Sequence, residues 1–264
     1  MKCSSFVLLV ALTLGATAPA SSQANEALIA VRFGMIEQIN AASGSADLLW
    51  SLPIGTPPPA RMTVHRDRLA LLGSELFQQQ SLLTLHPANG ALLIKLIAGV
   101  PFNGSAIRSL LADAAADELY VATATDLYTL DPSTGQGTLV GPFTGSPYSW
   151  EFVNAMAMAS NGEVYAIGRA DAAHRYGVYK LQLATAHLIW IGEIVMPTGS
   201  GGRFLDLAIP SSGDWWASFY EIGLIPSLRG LWRITPGSWQ ATQVRYVDPP
   251  HEGLAFLAPT QQAS

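Results

Sequence analysis

The chain has 264 residues, of which 49% are hydrophobic and only 12% are charged, and its formal net charge is −5. The 14 Lys and Arg residues form no cluster, so the charge-poor, acidic surface argues against a nucleic-acid partner. The single cysteine, Cys3, lies in the N-terminal segment. The rest of the chain therefore has no disulfide framework, no thiolate metal site and no cysteine nucleophile.

The first 24 residues have the pattern of a secretory signal peptide. Lys2 precedes an apolar run centred on residues 6–14, and Ala20 and Ala24 end Ala-x-Ala-type cleavage sites, with small residues at both recognition positions. The run is shorter than the roughly 20 apolar residues of a membrane-spanning helix. We therefore expect residues 25–264 to be a secreted or periplasmic protein without an integral membrane segment.

A hairpin pattern of two apolar runs around a tight turn recurs along the chain. Its copies begin at Ile36, Leu82, Leu127, Val178 and Leu231. The spacings between these starts are 46, 45, 51 and 53 residues. In the clearest copy Asp131 can accept hydrogen bonds from the backbone that follows it, Pro132 presets φ, and Gly135 can take the left-handed conformation. The pattern is therefore an internal repeat.

Two more candidate strands precede four of the copies, which gives the four strands of a β-propeller blade. The first copy has only one strand ahead of it, residues 27–33, and residues 252–259 resemble the missing strand. We therefore predict an all-β fold: a β-propeller of five four-stranded blades, closed by a C-terminal strand that joins the N-terminal blade. A pair of β-sandwiches is the alternative, but it does not predict so regular a spacing.

The units resemble those of secreted bacterial β-propellers with YVTN or quinoprotein-like repeats, a WD40-like architecture in which hairpins such as "LYTLDPSTG" (127–135) recur. The resemblance covers essentially all of residues 25–264 and implies a single propeller domain. The Gly-His and Trp-Asp signatures of WD40 blades do not occur at the blade positions. The regularly spaced Trp of quinone-dependent dehydrogenases is also missing, so a quinone cofactor is not expected.

Strand order assigns the connections of the predicted propeller to two different faces. If strands A to D run from the centre to the rim, the A–B and C–D turns lie on one face and the B–C and D–A connections lie on the other. The turns of the first face are short. The D–A connections are longer and rich in Pro and Gly, and two B–C connections are expanded, at 168–177 and 220–230. Function concentrates on loops held by a rigid scaffold, so we predict that the loop-rich face binds the ligand.

Aromatic and basic residues on or near the loop-rich face are the candidate ligand contacts. Exposed rings would form a platform for a saccharide or a peptide, whereas buried rings would pack between blades. A lone surface histidine is usually only solvated. The candidate set consists of Tyr148, Trp150, His174, Tyr176, Tyr220, Arg229 and His251.

A second candidate set lies where the innermost strands begin, at the mouth of the central channel. When the innermost strands are aligned by the repeat, Glu252, Asn154 and Arg108 occupy equivalent positions around the channel. Asp206 lies one residue away from the equivalent position in its strand, and the alignment fixes the position of Arg61 less well. Glu252, Asn154 and Asp206 resemble the metal-binding set of gluconolactonase-like propellers, which implies calcium or another hard cation. We favour the simpler interpretation, in which these polar residues pair with one another and with water, because an arginine in the ring opposes a cation.

The sequence favours a non-enzymatic function. We expect an extracytoplasmic, monomeric propeller that binds a protein, a peptide or a saccharide of unknown identity through its loop-rich face. The alternative is a metal-dependent lactonase or esterase that acts at the channel mouth with calcium. The chain contains no Gly-x-Ser-x-Gly motif, so a serine hydrolase of the α/β type is not indicated.

Overall fold

A computed structural model of the chain describes residues 26–53, 55–74, 80–101, 107–146, 153–169, 175–196, 202–221 and 228–257. Twenty strands in these ranges form five sheets, each with four antiparallel strands. The protein is a five-bladed β-propeller, which confirms the predicted fold class. The described ranges contain no helix long and apolar enough to cross a membrane.

Each blade is a four-stranded sheet whose innermost strand borders the central channel. Blade 1 contains β1 (Ala27–Arg32), β2 (Met35–Ile39) and β3 (Ala46–Ser51). Blade 2 contains β4 (Pro59–His65), β5 (Arg68–Ser74), β6 (Gln80–Leu85) and β7 (Leu92–Leu96). Blade 3 contains β8 (Ser109–Asp113), β9 (Glu118–Ala122), β10 (Asp126–Leu130) and β11 (Gly137–Pro142).

The last two blades have longer outer strands. Blade 4 contains β12 (Val153–Met158), β13 (Val164–Arg169), β14 (Tyr176–Gln182) and β15 (His187–Ile194). Blade 5 contains β16 (Arg203–Ala208), β17 (Trp215–Tyr220), β18 (Gly230–Thr235) and β19 (Gln240–Tyr246). The final strand of the chain, β20 (Gly253–Leu257), is the innermost strand of blade 1.

The ring closes as the sequence predicts. β20 pairs antiparallel with β1, from Ala27 opposite Leu257 to Val31 opposite Gly253. β20 also packs against β4 and β16, the innermost strands of the two neighbouring blades. Blade 1 therefore combines strands from opposite ends of the chain.

The five hairpin starts found in the sequence occupy equivalent positions in the five sheets. In chain order, their partners on the second strands are Val31, Leu72, Ala122, Ile167 and Ser218. Those residues in turn pair on the innermost strands with Gly253, Arg61, Ser109, Ala155 and Asp206. The repeat thus defines the register of the three inner strands of every blade.

The hydrophobic core lies between the blades. Five clusters of buried residues are found in the described part of the chain, one for each pair of neighbouring blades. The cluster between blades 4 and 5 is rich in aromatic rings, including Phe204, Phe219 and Trp232. Because both faces of each inner strand are covered, buried residues occur on both sides, as in β12, where five of the six residues are buried and four of those five are apolar.

The short C–D turns satisfy their own hydrogen-bonding groups. In the turn of blade 3, Asp131 Oδ1 accepts hydrogen bonds from the backbone N–H groups of Ser133 (2.7 Å) and Thr134 (3.3 Å), and Gly135 has a φ of +78°. These hydrogen bonds, together with one from the Ser133 hydroxyl, lower the pKa of Asp131 to about 2. The turn has the geometry that its sequence predicts.

Candidate functional site

The two ends of the central channel differ in their chemistry. At the short-turn end, a cavity of about 180 Å³ is lined by apolar residues and by the backbone of all five innermost strands, and no titratable side chain is among the described residues that line it. Equivalent lining positions are Met62, Leu110, Met156, Leu207 and Leu254. Arg61, Asn154, Arg203 and Asp206, on the innermost strands, lie towards the opposite, loop-rich end.

β-Bulges mark the start of the innermost strands at the loop-rich end. The register shifts between Pro59 and Arg61 in β4, between Val153 and Ala155 in β12, and between Phe204 and Asp206 in β16. A bulge adds one residue to a strand and redirects the side chains around it, and bulges are frequent next to functional sites. The six residues Arg61, Arg108, Asn154, Arg203, Asp206 and Glu252 lie at or just before these strand starts, and we call them the channel mouth.

Asp206 is fully buried and links three innermost strands. Its Oδ2 accepts hydrogen bonds from the backbone N–H groups of Leu254 in blade 1 (2.9 Å) and Met62 in blade 2 (3.3 Å), and its Oδ1 accepts one from Leu207 (3.0 Å). Burial raises the pKa of Asp206 to about 7, although the positive charge of Arg61 and these hydrogen bonds act in the opposite direction. The carboxylate therefore has a structural role at the base of the channel mouth.

Arg61 is the buried, oppositely charged neighbour of Asp206. Its guanidinium donates to the backbone carbonyls of Ala60 and Arg108, and to that of Glu252 at 3.1 Å. Burial lowers the pKa of Arg61 to about 10, and attraction to Asp206 offsets part of this effect. Arg61 and Asp206 together connect blades 1, 2, 3 and 5 around the channel.

Three other side chains of the channel mouth do not use their hydrogen-bonding groups. Within the described ranges, no hydrogen bond is found for the side chains of Asn154, Glu252 or Arg203. Asn154 is nevertheless only 5% exposed, and the Nε atom of Arg203 is buried without a partner. Burial also raises the pKa of Glu252. Because buried polar groups are normally hydrogen-bonded, these residues have binding capacity that the fold does not use.

The metal-binding set suggested by the resemblance does not fit this arrangement. Both oxygens of Asp206 already accept backbone N–H groups, so they are not directed at a cation shared with Glu252 and Asn154. The positive charges of Arg61 and Arg203 act on Glu252, and they would repel a cation there. The described ranges also contain no group of three or more His, Cys, Asp or Glu residues that could hold a metal ion. We therefore derive no metal-dependent step for this site.

The prediction of Tyr176 as an exposed contact was wrong. The residue begins β14 and is only 2% exposed. Its ring contacts Phe204 edge-on, with centroids 5.0 Å apart, and Phe219 at 5.7 Å, and its hydroxyl donates to the carbonyl of Gly202. Tyr176 therefore packs between blades 4 and 5, which is the alternative that the sequence left open for the aromatic residues.

His251 was also predicted on the accessible face, and the structure corrects this. It is 1% exposed, and its Nε2 lies 3.1 Å from Oε2 of Glu37. Burial lowers the pKa of His251, and attraction to Glu37 opposes this effect. The hydroxyl of Ser218 donates to the backbone carbonyl of His251 and not to its ring, so these three residues do not form a nucleophile–base arrangement.

The structure brings two predicted ligand contacts together at the rim of the loop-rich face. The guanidinium of Arg229 lies 4.8 Å from the ring centroid of Tyr220 and donates to Asp248 at 2.9 Å. Tyr220 is half-buried and is the cross-strand partner of Arg203. This pair therefore adjoins the channel mouth. Three other predicted contacts, Tyr148, Trp150 and His174, lie outside the described residues.

Sequence reasoning missed Arg203 as a member of the channel mouth. It lies three residues before Asp206, and the bulge in β16 means that it cannot be placed by counting back along a regular strand. Its membership follows from electrostatics, because its charge acts on Arg61, Arg108 and Glu252. The signal in the sequence was a basic residue at the start of an apolar innermost strand.

Comparison with known proteins provides little beyond the fold. No protein-family model and no curated protein matches the chain. Among solved structures, it is similar to the β-propeller domain of Swd1 from Myceliophteria thermophila, with 12% identity, a TM-score of 0.47, and coverage of 82% of this chain and 68% of that one. It is also similar to a gluconolactonase from Xanthomonas campestris, with 14% identity and a TM-score of 0.47 over 73% of this chain. The match spans 65% of that protein, which is less than two thirds of its length.

Proposed function

We propose that this protein is an extracytoplasmic β-propeller that binds a ligand at the mouth of its central channel, on the loop-rich face. One observation carries the proposal. Asn154, Glu252 and Arg203 belong to three different blades, lie at one end of the channel, and make no side-chain hydrogen bond within the described ranges. A ligand that forms hydrogen bonds with these three side chains would supply the partners that the described part of the fold does not provide.

The rim of the channel mouth supports the same interpretation. Arg229 and Tyr220 form a cation–π pair beside Arg203, and they add a half-buried aromatic surface to the polar groups. A few polar groups next to an aromatic ring are typical of sites for small ligands, including saccharides and peptide ends. The cavity at the short-turn end has no titratable side chain among the described residues that line it.

A thermal-shift screen of the purified protein tests the proposal. The panel consists of neutral sugars, sugar acids, amino acids and short peptides. A true ligand at about 100 times its Kd should add about 2.7 kcal/mol to the free energy of unfolding. We expect Asn154→Ala and Glu252→Gln to abolish this stabilisation, and Asn89→Ala, in an exposed short turn, to retain it.

Two results of this screen would lead to a different conclusion. If all three variants are stabilised as strongly as the natural protein, the site lies elsewhere. If lactones or esters in a parallel assay are hydrolysed, and Glu252→Gln abolishes the turnover, the protein is a hydrolase that uses the same mouth.

The proposed location outside the cytoplasm rests on the N-terminal sequence. Residues 1–25 lie outside the described structure, so the argument remains the apolar run followed by Ala20 and Ala24. We expect N-terminal sequencing of exported protein to begin after Ala24, or, as the alternative, after Ala20. Exported protein that still begins at Met1 would contradict this proposal.

A further inference from the structure

The outer strands of neighbouring blades are joined by a repeated pair of backbone hydrogen bonds. Between blades 2 and 3, the N–H group of Ala98 donates to the carbonyl of Gly135 (3.0 Å), and its carbonyl accepts from Gly137 (2.7 Å). Thr144 makes the same two hydrogen bonds between blades 3 and 4, and Val195 makes them between blades 4 and 5. Each of these residues follows the outermost strand of its blade and pairs with the end of the C–D turn of the next blade. We call the paired hydrogen bonds the rim bridges.

No rim bridge is found on either side of blade 1 in the part of the chain that the structure describes. The bridging residues lie three positions after the partner of the hairpin start, and the equivalent residues are Pro53 in blade 1 and Asp248 in blade 5. Proline has no N–H group, so Pro53 cannot donate to blade 2. Between blades 5 and 1, the guanidinium of Arg245 donates to the carbonyl of Gly44 instead (2.8 Å).

The buried clusters on the two sides of blade 1 are also the smallest. Among the described residues, the cluster between blades 1 and 2 has ten buried members, and the cluster between blades 5 and 1 has seven. The other three clusters have twelve, twelve and fifteen. Hydrophobic stabilisation is roughly proportional to the apolar area removed from water, so packing also holds blade 1 less strongly than it holds the other blades.

Blade 1 is joined to its neighbours by polar contacts near the channel. Four side-chain hydrogen bonds lie on or next to its two inner strands, β20 and β1. They link Asp206 with Leu254, Arg61 with Glu252, Ser218 with His251, and Glu26 with Ser211. These contacts fix the inner strands, so a separation of blade 1 from its neighbours begins at the outer strands β2 and β3.

We infer that the outer part of blade 1, strands β2 and β3, opens away from blade 2 in the native protein, while the rim bridges keep blades 2 to 5 together. Local openings of this kind occur where apolar contacts are few, and they require less free energy than global unfolding. The turn at 33–34 and the chain that follows β3 lie on the loop-rich face. The opening therefore changes the shape of that face beside blade 2.

Hydrogen exchange of backbone amides, followed by NMR and corrected for intrinsic rates, tests this inference. Blades 3 and 4 have a rim bridge on both sides, so their outer strands β10, β11, β14 and β15 are the reference. We expect the amides of β2 and β3 to be at least about fivefold less protected than the equivalent amides there, because the two hydrogen bonds of a bridge are missing. The measurement uses no ligand, so its result is independent of the proposed function.

Thr144→Pro reproduces the chemistry of Pro53 between blades 3 and 4. It removes the N–H donor of that rim bridge, and we expect it to lower the protection of β10 and β11 roughly 2- to 10-fold and to leave β2 and β3 unchanged. Thr144→Ala is the matched control. It loses the same hydroxyl, which lies 3.2 Å from Nδ1 of His187, but it keeps the backbone N–H group.

Arg245→Ala tests the other side of blade 1 without a new proline. It removes the hydrogen bond to Gly44 and should lower the protection of β2 and β3 roughly threefold or more. Arg233→Ala is its control, because Arg233 lies 3.5 Å from Asp214 within blade 5 and does not contact blade 1 through that pair.

Three results would overturn the inference. The first is protection of β2 and β3 that equals or exceeds that of the outer strands in blades 3 and 4. The second is an equal effect of Thr144→Pro and Thr144→Ala, which would show that the rim bridges do not control the opening. The third is protection of blade 1 that Arg245→Ala leaves unchanged.

Discussion

Asp206→Ala is expected to lower the free energy of unfolding by about 3–5 kcal/mol, the range for breaking a buried charged arrangement. The substitution leaves Arg61 buried without its counter-charge, and it removes the acceptor of the N–H groups of Met62, Leu207 and Leu254. In a protein of this size, the melting temperature should fall by roughly 6–20 °C. Differential scanning calorimetry measures both quantities.

Asp47 is the matched control for this experiment. It is exposed on β3, so Asp47→Ala should change the melting temperature by about 1–2 °C at most, as surface substitutions do. If Asp206→Ala has an equally small effect, Asp206 does not hold the innermost strands together.

The loss of stability caused by Asp206→Ala is expected to depend on pH. The pKa of Asp206 is about 7 in the fold, against an ordinary value of 3.8. Between these values the native state binds a proton that the unfolded state has lost, so the contribution of Asp206 to stability falls as the pH rises from about 4 to about 7. The destabilisation caused by Asp206→Ala should therefore be larger near pH 4 than near pH 7.

Deletion of residues 252–264 is expected to prevent the propeller from closing. It removes β20, so β1 loses its inner partner, and the buried Leu254 and Ala255 no longer pack between blades. The exposed strand edges invite pairing with other molecules. We expect insoluble protein, or soluble protein without a cooperative thermal transition by circular dichroism.

A shorter truncation controls for the loss of chain length. Removal of residues 261–264 leaves β20 intact and should have little effect, because chain ends outside the ordered strands tolerate deletion. A protein of 251 residues that melts cooperatively at the natural temperature would show that β20 is dispensable for closure.

The register of the strands could be predicted from the sequence, but the interaction partners of the side chains at the channel mouth could not. Once the hairpin starts are aligned, antiparallel pairing defines the equivalent positions on the innermost strands. Arg108, Asn154 and Glu252 occupy equivalent positions, as predicted. Whether a carboxylate at that level faces a cation or backbone N–H groups depends on local bulges. The resemblance to gluconolactonase-like propellers suggested Asp206 as a metal ligand, whereas both of its oxygens accept backbone N–H groups.

Burial of individual aromatic rings was equally hard to predict. Tyr176 was assigned to an expanded loop that ends at residue 177, but the strand begins two residues earlier than that boundary implies, and the ring enters the space between blades 4 and 5. Tyr220, at the end of β17, remains half-buried. A difference of one or two residues in the end of a strand decides whether such a ring packs inside or contacts solvent.

The pairing of β1 with β20 has a consequence for biosynthesis. At a ribosomal rate of about 5–20 residues per second, β1 is made roughly 10–50 s before the strand that completes its sheet. A hairpin forms within about 1–10 µs, so blades 2 to 5 have time to fold while blade 1 still lacks its inner strand. During that interval β1 presents an open strand edge, which can pair with another nascent chain.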